Sequence, residues 1–376
     1  LEEAFHAYLE DYFSYYSDLT FAEFRRSQQG LVASVAFGAA GISFAHWYAA
    51  WKSNSADLAH HAERWIRSAE KAQRGARAFV CQPVPGGSKM PPGAVLYGKA
   101  GIWMVSALVA HALAKPAAAG RAIERWAALS ESPSAPYELY TGVAGSLVAA
   151  AILFDHLGDP RAERFGRKLA ARLTAAIELD RSGRASWPDA EGPWLAHGTA
   201  GPLLALVLWS RATGLQAPDW LGPAIERLLE EPLADPDRAA PKESERSWLC
   251  RGYSGLAHLA IQAGRLFGAP AFLPAARRAL DLSLAHPSAQ ADLCCGRLAT
   301  AAVCLEMAGE EPNGAWRSHA EQAIVSALLL DREDWEVAGL YGGEAALPCL
   351  VLDFLNSASA GPPGLSLLSD LSPHQA

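Results

Sequence analysis

Hydrophobic positions in this chain fall into two kinds of helical run that alternate. In one kind the residues are apolar nearly all round, as expected of buried elements; in the other an apolar stripe is backed by a charged face. Each all-apolar run is announced by the same short glycine signature. It first appears as Ala36-Phe37-Gly38-Ala39-Ala40-Gly41-Ile42. It returns as Leu96-Tyr97-Gly98-Lys99-Ala100-Gly101-Ile102, then as Tyr140-Thr141-Gly142-Val143-Ala144-Gly145-Ser146. The next two copies are Ala196-His197-Gly198-Thr199-Ala200-Gly201-Pro202 and Cys250-Arg251-Gly252-Tyr253-Ser254-Gly255-Leu256. A sixth, Cys295-Gly296-Arg297-Leu298-Ala299, keeps only the first glycine. A seventh, Leu340-Tyr341-Gly342-Gly343-Glu344-Ala345, has Ala in the second slot. The first glycines are separated by 60, 44, 56, 54, 44 and 46 residues. That is room for a signature-led helix, a turn, a second helix and a return loop, the mark of stacked supersecondary units. The first glycine is expected to supply a special backbone angle, and the second to let the helix start approach a neighbour.

The amphipathic runs have conventional starts. Asp159-Pro160 opens one over 161–177, with Asp159 as the cap and Pro160 in the first turn. Runs over 272–285 and 317–330 are similar. Seven buried and seven flanking helices read as an all-α fold closed into a double ring. An open stack would need polar end caps, and the terminal copies are as apolar as the middle ones. Residues 1–30 carry aromatic residues at helical spacing (Phe5, Tyr8, Leu9, Tyr12, Phe13, Tyr16) and read as a helical extension packed on the body. The body spans 31–357, and 358–376 read as a tail. Stretches 81–92 and 233–247 read as loops. The second leads into Trp248-Leu249-Cys250 and is either a return loop or the rim of a pocket.

Composition narrows the function. A hydrophobic fraction of 51% supports a large core, and a charged fraction of 19% argues against disorder. The net charge of −8 disfavours a nucleic-acid binder or an anionic membrane surface. The apolar runs are broken by Gly or charge, so none reads as a membrane span. Six cysteines (Cys81, Cys250, Cys294, Cys295, Cys304, Cys349) in 376 residues are no disulfide framework and fit a reducing, cytoplasmic setting. The chain begins at Leu1 without Met and reads as trimmed or as a piece of something longer.

Chemistry concentrates at copies five and six, in Ser247-Trp248-Leu249-Cys250-Arg251-Gly252 and Asp292-Leu293-Cys294-Cys295-Gly296. Three thiols sit at two glycine-marked breaks between apolar helices. Thiolates are good zinc ligands, and three of them leave a fourth position open, which is the catalytic pattern. Three buried, inert cysteines are the competing reading. Cys81, Cys304 and Cys349 read as packing residues, and Lys99 as a solvated rim residue.

The seven glycine-marked helix pairs, with Cys250, Cys294 and Cys295 at copies five and six, resemble the LanC-like family of lanthipeptide cyclases and their eukaryotic relatives. The resemblance is strongest in Trp248-Leu249-Cys250-Arg251-Gly252, Leu293-Cys294-Cys295-Gly296 and Ala196-His197-Gly198. It implies an α/α toroid of seven inner and seven outer helices, with one Zn²⁺ at the end of a central cavity. The family's usual ligands are Cys, Cys and His; here they match Cys250, Cys294 and Cys295, a Cys-Cys-Gly variant with three thiolates. The family histidine for proton transfer matches His197, and its acidic residue is nearest matched by Glu138. Arg251 stands where His or Tyr commonly follows the first ligand, and Leu249 looks like an insertion between Trp248 and Cys250.

The resemblance implies addition of cysteine thiols to dehydroalanine or dehydrobutyrine in a dehydrated precursor peptide, forming (methyl)lanthionine rings. Three thiolates leave zinc with a charge of about −1, and a fourth with about −2, which favours a nucleophilic sulfur over strong acidification of the thiol. The enolate formed by attack must be protonated, and His197 suits this, with a solvent-facing or capping histidine as the alternative. Arg251 reads as a partner for the enolate oxygen or a peptide carboxylate, or as an ion-pair partner of Glu138. Glu138 reads as orienting His197 or Arg251, or as a structural cap. No kinase, lyase or dehydratase region is visible, so a partner enzyme or a domain elsewhere is expected to dehydrate the peptide. Two other readings stand beside this one: addition of glutathione or another small thiol to dehydroamino acids in proteins, and a zinc-stabilised peptide-binding scaffold.

Overall fold

The computed structural model describes residues 1–27, 32–75, 78–79, 90–132, 135–236, 242–268, 271–330, 339–340 and 343–356, without the side chain of Ser244. The expected tail over 358–376, Cys81 and the Tyr341-Gly342 pair of the seventh signature lie outside the described residues. The chain divides into two compact units.

The first unit comprises Leu1–Ala135 and Ser326–Ser359. It holds α1 (Glu2–Asp18), α2 (Phe21–Ser27), α3 (Ala39–Ser53), α4 (Ala56–Ala72), α5 (Lys99–Ala112) and α6 (Pro116–Ser130). The last helix among the described residues, Ala346–Asn356, also belongs to it. The signature-led α3 is buried without a break from Ala39 to Ala50, so water reaches neither face of it. Its partner α4 buries only Ala59, Ala62, Trp65, Ile66 and Ala69, one stripe at helical spacing. α1 packs on the helix Ala346–Asn356, where Phe5 meets Phe354 edge-on with ring centroids 5.4 Å apart. Tyr16 Oη donates to Glu344 Oε2 at 3.1 Å.

The second unit includes Pro136–Val325. In chain order it holds α7 (Val143–Leu157), α8 (Pro160–Ala176), α9 (Ala200–Thr213) and α10 (Leu221–Ala234). These are followed by α11 (Tyr253–Phe267), α12 (Phe272–Leu284) and α13 (Arg297–Glu310). α14 (Trp316–Leu328) begins in this unit and ends in the other, and the helix Ala346–Asn356 becomes α15. Again the signature-led helices are buried: α7 exposes nothing from Val143 to Leu153. The α8 start is as the sequence suggests, with Asp159 accepting from Arg161 N at 2.8 Å and Pro160 in the first turn. α8 closes on α9 at Gly166, where a Cβ would lie 2.2 Å from the Trp209 ring. An antiparallel pair, Glu178–Leu179 with Ala185–Ser186, is the one sheet among the described residues. The hydrophobic pattern gives no sign of it; its turn is made by Asp180, which accepts from Ser182 N and Arg184 N, and by Gly183 at φ +83°.

The glycine signatures position everything that follows, though not as expected. Gly252, before α11, has φ −127° and ψ −171°, ordinary extended backbone. What excludes a side chain there is crowding: a Cβ would lie 2.4 Å from Glu245 O and 2.5 Å from Arg246 O. Gly255 does act as expected, since its Cβ would meet Leu249 O at 2.2 Å and the Leu195 side chain of the preceding signature at 2.9 Å. With the glycines pressed in, successive signature loops bond to each other through the backbone. In the second unit Leu139 N donates to Ala196 O at 3.0 Å, Ala196 N to Cys250 O at 2.9 Å, and Leu249 N to Cys294 O at 3.0 Å. In the first unit Leu340 N donates to Val35 O at 3.1 Å and Ala36 N to Leu96 O at 2.9 Å.

Candidate active site

Each signature puts two residues ahead of its first glycine. The earlier one is buried in every loop of the second unit: Tyr140, Ala196, Cys250 and Cys294. The later one is less covered: Thr141, His197 and Cys295 are half-buried and Arg251 is exposed. The backbone bonds between loops set these residues side by side. The site therefore consists of corresponding positions in four successive loops, at the starts of α7, α9, α11 and α13.

Cys250, Cys294 and Cys295 converge there, with their sulfurs all within 4.8 Å of one another and Cys250 Sγ 3.7 Å from Cys295 Sγ. Tetrahedral zinc with Zn–S bonds of about 2.3 Å requires sulfurs about 3.8 Å apart, so this spacing fits the metal. The charge balance fits as well. Hydrogen bonds from the Cys294 and then the Cys295 thiol hold the Cys250 thiol well below its ordinary range. The thiolate at Cys250 in turn pushes Cys294 and Cys295 up. Loss of one proton thus disfavours loss of the other two, and a bound cation would offset that repulsion. The Gly252 and Gly296 N-caps turn the positive ends of α11 and α13 toward the same loops, which also favours thiolate. The cluster can hold a metal ion.

Around the sulfurs lies a polar shell. Tyr140 Oη is 3.3 Å from Cys294 Sγ, and the Tyr140 ring meets the His197 ring edge-on at 5.6 Å. Cys295 N donates to Asp292 Oδ1 at 2.7 Å. Burial lifts the Asp292 carboxyl to about 6. Glu138 is 6% exposed, and its Oε2 lies 3.0 Å from His197 Nδ1. Glu138 also accepts from Tyr140 N at 2.9 Å and from both the Thr141 backbone and hydroxyl. Burial alone would raise Glu138, but His197, Thr141 and the Tyr140 amide outweigh it and keep the carboxylate ionised below its usual range. The Glu138 bond in turn raises His197 against the opposing effect of burial. Nδ1 is thereby engaged, on a side chain that is 43% exposed.

Two of the alternatives left open by the sequence resolve here. Arg251 pairs with Glu191 at 3.2 Å and not with Glu138. Glu138 orients His197 and caps its own turn at once. Leu249 is no insertion: it lies in register with Leu139, Leu195 and Leu293, each three residues before a first glycine, and is fully buried with its N–H bonded to Cys294 O. The sequence reading gave no role to Tyr140, Glu191 or Asp292. Tyr140 had a readable signal, since it occupies in its loop the slot that Cys250 and Cys294 occupy in theirs. Of the segment before Trp248, residues 237–241 lie outside the described residues; Pro236, just past α10, accepts from Tyr253 Oη at 3.1 Å.

An all-α repeat fold whose loops bring together three thiols, a His–Glu pair and an arginine defines a helical protein with a sulfur cluster that could hold a metal ion. The sequence model of the lanthionine synthetase C-like proteins matches residues 32–360, and the chain belongs to that family. Among solved structures it is similar to nisin cyclase, at 14% identity over 93% of this chain and 95% of that one, with a TM-score of 0.67. That likeness is one of fold, and the fold class is the α/α toroid expected above. A protein from Salmonella enterica subsp. enterica serovar Paratyphi A, described as a possible GH105 family member, matches at 11% identity. It covers 90% of this chain and 95% of its own, with a TM-score of 0.44. A Listeria innocua protein matches at 10% identity over 85% and 84%, with a TM-score of 0.39. A sequence search of the curated proteins finds no match. Among the described residues no helix is long and apolar enough to cross a membrane.

Proposed function

We propose that this protein is a zinc-dependent cyclase that adds cysteine thiols to dehydroalanine or dehydrobutyrine in a dehydrated precursor peptide, closing thioether rings. One observation carries the reading: a three-sulfur cluster of zinc dimensions stands in the same group of loops as a histidine polarised by a buried carboxylate. Cys250, Cys294 and Cys295 are the groups that hold the metal. Zinc, when bound there, supplies a Lewis acid that lowers the pKa of an incoming thiol.

The remaining work falls to the chain. In the overall addition the thiol gives up its proton, a sulfur–carbon bond forms at the β-carbon, and the alkene pair moves toward the carbonyl as an enolate. The α-carbon then takes up one proton, so nothing leaves and mass is conserved. His197 delivers that proton from Nε2, and Glu138 stabilises its protonated form through Nδ1. Arg251 is 47% exposed and its partner Glu191 is 69% exposed. Such a pair is weak, so the guanidinium is free to meet the enolate oxygen or a peptide carboxylate. Tyr140 donates to Cys294 Sγ when that sulfur is a thiolate, and so fixes its orientation. Dehydration of the peptide is supplied by another enzyme or domain.

The test is His197→Ala with a dehydrated, cysteine-bearing peptide. Loss of turnover by at least about 100-fold with bound zinc unchanged supports the reading, in line with the loss of a general acid. Undiminished turnover contradicts it. Peptide binding without turnover, in the native protein and variant alike, points to a scaffold.

A further inference from the structure

Away from the sulfur cluster, the first unit has a cavity of about 560 Å³ lined by Glu70, Lys71, Arg74, Lys99, Trp103 and Arg125. Its residues come from the end of α4, the start of α5 and the middle of α6. Four are cations in a protein whose net charge is −8. None of the four has a carboxylate partner among the described residues. The lining has one acid, Glu70, which accepts from the Ser106 hydroxyl at 2.7 Å and leaves the cations in excess by four to one. Nearby in this unit, Lys115 and Arg67 both pair with Glu63, at 2.7 and 2.6 Å.

The cavity is also shaped. Trp103 is buried, and the Arg125 guanidinium lies 4.4 Å from the centre of its ring. That stacking orients the guanidinium while leaving its N–H edge free for an oxyanion. Lys99 is the first residue of α5, whose Gly98 N-cap makes no side-chain cap, so the positive helix end adds to the same field. A single phosphate would fill a small part of 560 Å³, whereas several carboxylates on an extended chain match cations spread over three helices.

We propose that this cavity binds an acidic segment of the peptide substrate, with Lys71, Arg74, Lys99 and Arg125 receiving its Asp and Glu carboxylates. The proposal rests on the peptide-cyclase reading, but its test does not require turnover. The probe is a synthetic twelve-residue peptide with four Glu (about the length needed to reach all four cations). It would be titrated into the full chain by calorimetry beside a counterpart with Gln at the same positions. The Glu peptide is expected to bind, to weaken steeply as salt rises, and to outbind the Gln peptide. Binding should fall about tenfold or more in Lys99→Gln/Arg125→Gln and in Lys71→Gln/Arg74→Gln. Arg125→Lys, which keeps the charge, should lose much less. Equal binding of the two peptides, or unchanged affinity in both double variants, overturns the proposal. Displacement of the Glu peptide by an equal concentration of inorganic phosphate overturns it too and assigns the cavity to a free anion. Binding that succeeds while thiol addition fails removes the cyclase reading and leaves this site standing.

Discussion

Glu138 shows how much one side chain settles in this site. It is buried, it fixes the turn that carries Tyr140 and Thr141, and it holds His197 by Nδ1. If His197 gives up a proton in its reactive step, activity falls as pH rises through the His197 pKa. Because Glu138 raises that pKa, the acid form persists to higher pH than in a free histidine. Glu138→Gln removes the charge, so the basic limb of the pH–rate profile should move to lower pH. A limb that stays in place would remove Glu138 from this role. The sulfur cluster makes a second prediction. Cys250→Ala, Cys294→Ala and Cys295→Ala should each lose most of the bound zinc, read by metal analysis. Cys295→His should keep about one zinc per chain, since imidazole is an equally good ligand. Retention in all three alanine variants would return the cysteines to inert packing. At this scale the sequence was informative about what lies on the chain and silent about direction. It named His197 and Glu138 as candidates, which the structure places 3.0 Å apart, but did not pair Arg251 with Glu191, because charge alone does not say which carboxylate a long side chain reaches.

At the scale of elements, the glycine signature does more than start helices. It lets neighbouring loops approach until their amides and carbonyls bond, and that contact brings Cys250 to Cys294 and Cys295. Gly255→Ala should therefore act on the site from a distance. A Cβ 2.2 Å from Leu249 O cannot be accommodated without moving the loop that carries Cys250. A loss of about 1–3 kcal/mol in urea unfolding is expected, with weakened zinc binding. Full stability and native metal content would contradict the role given to the close approach. The helix pairs were readable because buried and half-buried helices differ in pattern. The reason for the first glycine was not, since Gly at a positive φ and Gly under a carbonyl look the same in one sequence. Leu249 shows a different limit. Its register with Leu139, Leu195 and Leu293 can be counted from the glycines of this chain, and its backbone bond to Cys294 agrees with that count, where a comparison of family motifs suggests an extra residue.

At the scale of the molecule, the described helices give seven signature-led elements, α3, α5, α7, α9, α11, α13 and α15. The first six are each followed by a second helix in chain order. The helix packed on α15 comes instead from the other end of the chain, as α1. Residues 1–18 are thus part of the first unit's packing, a closer involvement than an appended extension. Phe5 is fully buried, so Phe5→Ala should cost about 3–5 kcal/mol, seen as a lower urea midpoint. A change below about 1 kcal/mol would mean that α1 is peripheral. The aromatic spacing of α1 predicted a packed helix, but nothing local in it names a partner more than three hundred residues away.

The central claim is that these parts add a thiol to an alkene. It is tested most directly by mass spectrometry of a dehydrated, cysteine-bearing peptide after incubation with the zinc-loaded protein, followed by alkylation of any remaining thiol. The account predicts a product of unchanged mass that resists alkylation, formed by the native protein and not by His197→Ala. A peptide that stays fully alkylatable would contradict it. So would one that closes only when glutathione is present and gains the mass of glutathione.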